Sequence, residues 1–383
     1  MSEIDQIILD AVDRQDLPFA VAMVANSEEV LWEGSAGQAN ASKPASLETY
    51  FRLFSMTKAV GSLAAMMMID RGKATLDTAV VDVLPEFNKL LVLESMGPDG
   101  PVYRAPRRPV TLRHLLTHTS GVVYGEYNTK MLEYQTTMGT PHIFAGTLES
   151  MNYPLMFDPG DEWAYGIGLD WAGRIVQQLD GRTIDRFCRE EIFAPLGMMD
   201  TAFEADARSE NLADVVVRGP DERFTPMELS APSQPEIYGM GSALYGTAPD
   251  YIRFLRTVLN RGELDGHRVI SPEAIEPMFV NQIGDMSLPV MKSLAQDIAV
   301  DVELFPGYRK THTAGFVRME AAVPGMRSVG SLTWAGVCNT HYWIDPAKDL
   351  TAVLMTQSLP FCEPRFMQVY EKFEREVYRK FSA

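Results

Sequence analysis

The chain reads as an α/β protein of the α+β type, with an antiparallel sheet built from both chain ends, helices flanking it and a mostly helical domain inserted between. Three observations predict this. Strand-like apolar runs sit near both ends, at residues 20–25 and 30–32 and again at 330–334, 341–344 and 351–355. Helical patterns fill the middle. The 383 residues suit one large domain or two to three smaller ones. The economical arrangement is a discontinuous α/β domain from residues 1–54 and 233–383, a helical domain from 55–232, and a cleft between them, a usual place for a small-molecule site.

The elements follow in order. Ile4, Ile7, Ile8, Ala11 and Val12 have the spacing of one helix face over residues 3–14. Runs 20–25 and 30–32 flank Asn26-Ser27-Glu28-Glu29 and predict a hairpin. Ser55-Met56-Thr57-Lys58 opens an apolar run, Ala59 to Ile69, that predicts a buried helix stopping at Arg71-Gly72. Residues 97–109 hold Gly97, Pro98, Gly100, Pro101, Pro106 and Pro109 and predict a loop. Thr111 caps a short helix to Thr117, and residues 168–181 form another. Residues 205–237 are polar, with Pro220, Pro226, Pro232 and Pro235, and predict a long connection. Thr247 and Asp250 form a capping box ahead of residues 251–255. Ser271, Pro272 and Glu273 mark a further helix start, and a last helix covers roughly 364–380.

Composition removes several functions. The net charge is −17, from 34 basic and 51 acidic residues. That argues against nucleic acid, which needs a basic footprint, and against anionic lipid; solubility is the plain meaning of such acidity. The first residues are acidic where a signal peptide would be basic, and no run approaches a membrane span. Cys188, Cys338 and Cys362 are scattered and odd in number, which predicts no disulfide framework and a cytoplasmic setting. His114 and His118 stand at i and i+4, but no H-E-x-x-H and no placed carboxylate accompany them, so no metal is expected.

The chemistry starts at Ser55. On a helix, residues i and i+3 share a face, so Ser55 and Lys58 can meet. A serine hydroxyl is a poor nucleophile until a neighbour takes its proton, and an amine in an apolar pocket can be that neighbour. Ser62 and Ser120 compete for the role. Phe157 to Gly168 carries a Pro159-Gly160 turn, then Tyr165 among glycines, then a helix. A phenol near a cation can release its proton below its ordinary pKa of about 10. Trp334-Ala335-Gly336 ends a strand with an apolar wall and a glycine where backbone can approach a ligand.

Together these segments resemble the serine β-lactamase-like superfamily, and most closely the family VIII carboxylesterases, which look like class C β-lactamases and DD-peptidases but mostly hydrolyse esters. The resemblance runs nearly end to end through LFSMTK, TLRHLLTHTSG, FDPGDEWAYGIGLDWAGRIV, EEIFAPLGMMDT, YGMGSALYGTAPDY and GSLTWAG…WIDP. It implies a β-lactamase-like fold, Ser55 as nucleophile, Lys58 as its partner and Tyr165 as the tyrosine of the Y-x-N/Y-x-S motif. Trp334-Ala335-Gly336 takes the place of K-T-G, the backbone N–H groups of Ser55 and Val337 form the oxyanion hole, and Tyr238 matches a pocket aromatic. Two departures bear on substrate. Ile167 stands where β-lactamases have the motif's asparagine, and Trp334 where they have lysine. Both favour neutral esters over anionic β-lactams.

The expected activity is therefore a cofactor-independent serine carboxylesterase acting on a small-molecule ester. The rivals are an acyltransferase to an alcohol, a weak β-lactamase or DD-peptidase, and a catalytically silent binding module. The absence of G-x-S-x-G disfavours an α/β-hydrolase. If the indole of Trp334 only packs, Trp334→Ala should weaken ester binding more than the chemical step.

Overall fold

A computed structural model describes residues 2–229 and 231–382. Its main sheet has seven strands, in the spatial order Lys310–His312, Val317–Met319, Leu332–Gly336, Thr340–Asp345, Leu350–Met355, Phe19–Ala25 and Val30–Gly37. Every neighbouring pair is antiparallel. The two chain ends meet between the fifth and sixth strands of this order, where Val21 lies opposite Met355 and Ala25 opposite Thr351.

The sequence FAVAMVA of the first strand is buried along its whole length. Alternate side chains of a strand point to opposite faces, so an unbroken apolar run demands cover on both. Ala20, Ala22 and Val24 join a core with Ile4 and Ile8 of helix Glu3–Asp13 and Phe366, Val369 and Phe373 of helix Pro364–Phe381. Val21, Met23 and Ala25 face the other way, into a larger core with helices Thr57–Asp70 and Ala248–Leu259. On the first face, Arg327 Nε donates to Glu374 Oε1 at 2.8 Å, and both side chains are fully buried. This pair ties the last helix to the underside of the sheet.

Helix Thr57–Asp70 is apolar on nearly every side, and Thr57 through Met68 are all buried. A helix of that kind needs neighbours all round. Gly61 and Gly173 supply close approach: a Cβ at either would fall within 3.0 Å of the Met240 side chain. Helix Gly168–Asp180 packs alongside.

The structure corrects two expected loops. Residues Val92–Gly97 and Gly100–Arg104 pair as a hairpin whose turn and second strand fall in the region read as loop from 97 to 109. The polar connection 205–237 holds a second hairpin, Val215–Arg218 with Phe224–Met227, which joins Ser358–Leu359. Pro101 and Pro226 lie within these strands. A two-stranded ribbon and an outermost strand have free edges, and there the missing proline N–H is tolerated. Strands Lys310–His312 and Val317–Met319 are also additions to the expected sheet.

Candidate active site

Ser55 sits where a short strand turns into a buried helix. Phe51–Arg52 pairs with Tyr245–Gly246, a 3₁₀ turn covers Phe54–Met56, and helix Thr57–Asp70 follows. Phe54 adopts φ +45°, in the left-handed region that a bulky side chain rarely visits. Such a conformation costs about 1–3 kcal/mol and persists only when packing holds it. Phe54 is held by Val215, Cys338 and Leu359 and by the ring of Phe144, 6.0 Å away.

Lys58 is 3% exposed. Its Nζ donates to Ser55 Oγ at 3.1 Å, to Tyr124 OH at 3.1 Å and to the Gly241 carbonyl at 2.8 Å. These three acceptors match the three N–H bonds of an ammonium. Loss of one proton leaves a lone pair among the same partners, so the amine can take the hydroxyl proton without moving.

Tyr165 arrives from the other side. Its OH donates to Ser55 Oγ at 2.6 Å, and its ring lies 4.8 Å from Lys58 Nζ. The next residue must be glycine: a Cβ on Gly166 would stand 1.9 Å from the Val122 carbonyl. That contact clamps the segment to Val123, and Tyr124 N–H donates to the Tyr165 carbonyl at 3.0 Å. Beneath the ring, His118 accepts from Gly166 N–H through Nδ1 at 3.4 Å. Burial, with His312 and Lys58 nearby, pushes the His118 imidazole well below its usual range, so it stays neutral. His118 stands beyond the end of helix Leu112–Leu116 with φ +60°, while His114 serves the Thr111 capping box.

Trp334 does more than line a wall. Its Nε1 donates to Tyr165 OH at 3.2 Å, with the ring centroids 5.0 Å apart. A chain of donors thus runs from indole to phenol to serine. The condition on which Trp334→Ala was expected to affect binding more than chemistry, that the indole only packs, is therefore not met. Gly336, two residues on, permits a close approach: a Cβ there would lie 2.4 Å from the Leu53 carbonyl. This brings the end of strand Leu332–Gly336, and with it Val337, against the turn that carries Ser55.

Ser55, Tyr165, Trp334 and Val337 line one cavity of about 90 Å³, with Tyr124, Tyr127, Phe144, Met291 and Phe361 among its apolar and aromatic walls. No lysine or arginine lines it among the described residues. Its polar corner is His142, whose Nε2 meets Glu126 Oε1 at 2.7 Å. Tyr238 does not line this cavity. It borders a neighbouring one of about 110 Å³, where its OH donates to Glu204 Oε1 at 2.6 Å, and Phe144 forms part of both walls. Ser62 is fully buried in the helix beside Gly315, away from the cavity. Ser120 is buried and does not line it either.

Tyr124 is the residue sequence reasoning missed. Burial and the nearby Tyr165 raise its phenol well above the usual range, so it remains protonated while its oxygen accepts from Lys58. Its one signal is local: it follows the H-T-S-G segment of residues 118–121, which packs against the Tyr165 loop.

The Beta-lactamase family profile matches residues 4–373. The chain belongs to the Beta-lactamase family. It is an enzyme, a serine hydrolase or acyltransferase of the β-lactamase-like superfamily. Lovastatin esterase from Penicillium rubens is 30% identical over 359 residues, covering 89% of this chain and 88% of the relative. Monacolin J acid methylbutanoyltransferase from Aspergillus terreus is 28% identical, over 90% and 85% of the two chains. Unliganded simvastatin synthase from Aspergillus terreus superposes with a TM-score of 0.84 at 26% identity, over 99% of this chain and 98% of that one. The mixed α/β architecture with its antiparallel sheet is the β-lactamase-like fold. No described helix is long and apolar enough to cross a membrane.

Proposed function

We propose that this Beta-lactamase family member is a cytoplasmic carboxylesterase of the family VIII type, hydrolysing small neutral esters through an acyl-enzyme on Ser55. The observation that carries this reading is the double engagement of Ser55 Oγ, by Lys58 at 3.1 Å and Tyr165 at 2.6 Å, on the wall of a cavity that no lysine or arginine lines among the described residues. Ser55 Oγ attacks the ester carbonyl while its proton passes to the Lys58–Tyr165 pair. The tetrahedral oxyanion takes hydrogen bonds from the backbone N–H groups of Ser55 and Val337. The C–O bond to the alcohol breaks, and the pair returns the proton to the departing oxygen. Water then repeats the sequence on the acyl-enzyme and frees Ser55. No metal or organic cofactor enters these steps.

Fluorophosphonate labelling with mapping of the modified residue tests the nucleophile: the adduct is expected on Ser55, and an adduct elsewhere overturns the assignment. A panel of kcat/KM values tests the substrate. p-Nitrophenyl butyrate is expected to exceed benzylpenicillin by at least about 10²-fold, since a desolvated carboxylate left without a cation costs several kcal/mol. Nitrocefin should be hydrolysed slowly at most. Benzylpenicillin equal to the ester would replace this reading with the β-lactamase one.

The indole–phenol hydrogen bond changes what Trp334 should do. Trp334→Phe keeps an aromatic wall and removes the donor to Tyr165. We expect kcat to fall by about 10-fold, the value of one ordinary hydrogen bond, with KM altered less. A variant with raised KM and unchanged kcat would mean that the indole serves binding alone.

Acyl transfer to an alcohol is the second reading, favoured by the relative named as a methylbutanoyltransferase. The second cavity beside Phe144 offers room for an acceptor. Adding a primary alcohol to the p-nitrophenyl butyrate assay and quantifying butyrate ester against butyrate decides between the two.

A further inference from the structure

Asp170 is the buried acid that the steps above leave unused. It lies in the first turn of helix Gly168–Asp180 and is 3% exposed. Its Oδ1 accepts from the Gly241 N–H at 2.9 Å, while Oδ2 has no hydrogen-bond partner among the described residues. The backbone opposite is shaped to admit it. A Cβ on Gly239 would stand 2.4 Å from Oδ1, and one on Gly241 would stand 2.6 Å from Oδ2. The turn is closed by Ser242 and Ala243 N–H groups donating to the Gly239 carbonyl, at 3.2 and 3.0 Å. The carbonyl of that same Gly241 accepts from Lys58 Nζ at 2.8 Å. One residue therefore joins the carboxylate to the amine beside Ser55.

We propose that Asp170 is a positioning residue for Lys58, holding the Gly239–Gly241 turn so that the Gly241 carbonyl meets Nζ and lending the ammonium a buried counter-charge. The idea rests on the esterase reading, because it gives Lys58 a proton to carry. A carboxylate here is costly to bury, and burial pushes Asp170 above its usual range while the Lys58 charge pulls it back. That cost has a return only if the charge acts on something, and Oδ2 spends none of it on a hydrogen bond. Lys58, Tyr124, Tyr153 and His142 face Asp170, and Arg52 borders the same cavity. Lys58 also faces Tyr165 and His118. Tyr124 and Tyr153 are raised by burial and His118 is lowered by it, so these three keep one charge state near neutral pH.

The test is the rate of fluorophosphonate labelling at Ser55 as a function of pH, in wild type, Asp170→Asn and Gly239→Ala. Asparagine keeps an acceptor for the Gly241 N–H and removes the charge. Its acid limb is expected about one unit lower than wild type, since an ammonium without its counter-charge gives up a proton more readily. His142 also faces Asp170, so the pair is compared in a His142→Gln background too, where the displacement should persist. Superimposable limbs in wild type and a folded Asp170→Asn overturn the proposal. If Asp170→Asn does not fold, Gly239→Ala decides in the same way: its methyl displaces the carboxylate without removing it, and an unmoved limb again overturns the proposal. Wild type that does not label at Ser55 fails at an earlier point, overturning the esterase reading and this one with it.

Discussion

Ser55→Ala is expected to abolish ester turnover, by at least about 10⁴-fold in kcat, while leaving the fold intact. The loss follows from the proposed covalent route: among the described residues Ser55 is the serine held by both Lys58 and Tyr165, while Ser62 and Ser120 are buried and do not line the cavity. The preserved fold follows from the local geometry. A serine at a helix start can be a cap, and its loss would then cost about 1 kcal/mol. Here the cap position of helix Thr57–Asp70 is Met56, with no side-chain capping bond, and the Ser55 hydroxyl receives its hydrogen bonds from Lys58 and Tyr165. Unfolding free energies from urea titration of the two proteins should agree within about 0.5 kcal/mol. Unchanged hydrolysis of p-nitrophenyl acetate by folded Ser55→Ala would sink the assignment of the nucleophile.

Lys58 and Tyr165 should behave as one device. Tyr165→Phe leaves the ring against Trp334, Tyr124 and His118 and removes only the hydroxyl. Lys58→Met leaves an apolar stem of similar length and withdraws the donors to Ser55, Tyr124 and Gly241. Each change is expected to lower kcat by at least about 10²-fold, the low end for a general base. Both donors end on the same Oγ, so the double variant should lose little more than the worse single one. Fully additive losses in the double-mutant cycle would mean that the amine and the phenol serve separate steps.

What was legible in the sequence is what depends on near neighbours. Ser55 and Lys58 meet because three residues along a helical turn bring side chains to one face, and that relation needs no knowledge of the rest of the chain. The buried strand Phe19–Ala25 announces itself by an unbroken apolar run beside turn residues, and the first helix by the period of its apolar face. Tyr165 could be singled out among fourteen tyrosines only through its motif resemblance, since its contact with Ser55 spans 110 positions. Tyr124 and Asp170 carry no comparable local mark. Each matters through a contact made across the fold, to Lys58 over 66 positions and to Gly241 over 71. The hairpins at 92–104 and 215–227 were hidden by prolines, which signal a loop unless a free strand edge is known to be available. Trp334 was legible as an aromatic surface; its role as a donor required the position of one phenol oxygen.

The sheet joined from both chain ends has a consequence for when the enzyme can first exist. Strand Phe19–Ala25 has one of its two partners at Leu350–Met355, and the Ser55 turn rests against Gly336, roughly 280 residues downstream. A ribosome adding about 5–20 residues per second emits the serine, the lysine and the helix that bears them tens of seconds before the strand that walls them in. During that interval the nucleophile has an amine beside it but no indole, no Val337 amide and no sheet. A nascent chain is therefore inert toward esters, and activity should switch on late and all at once, when the closing strands dock. Closure over so long a loop is slow, and through the wait the apolar strand Phe19–Ala25, paired on one edge with Val30–Gly37, lacks its partner Leu350–Met355 on the other, which makes it a segment in need of a chaperone.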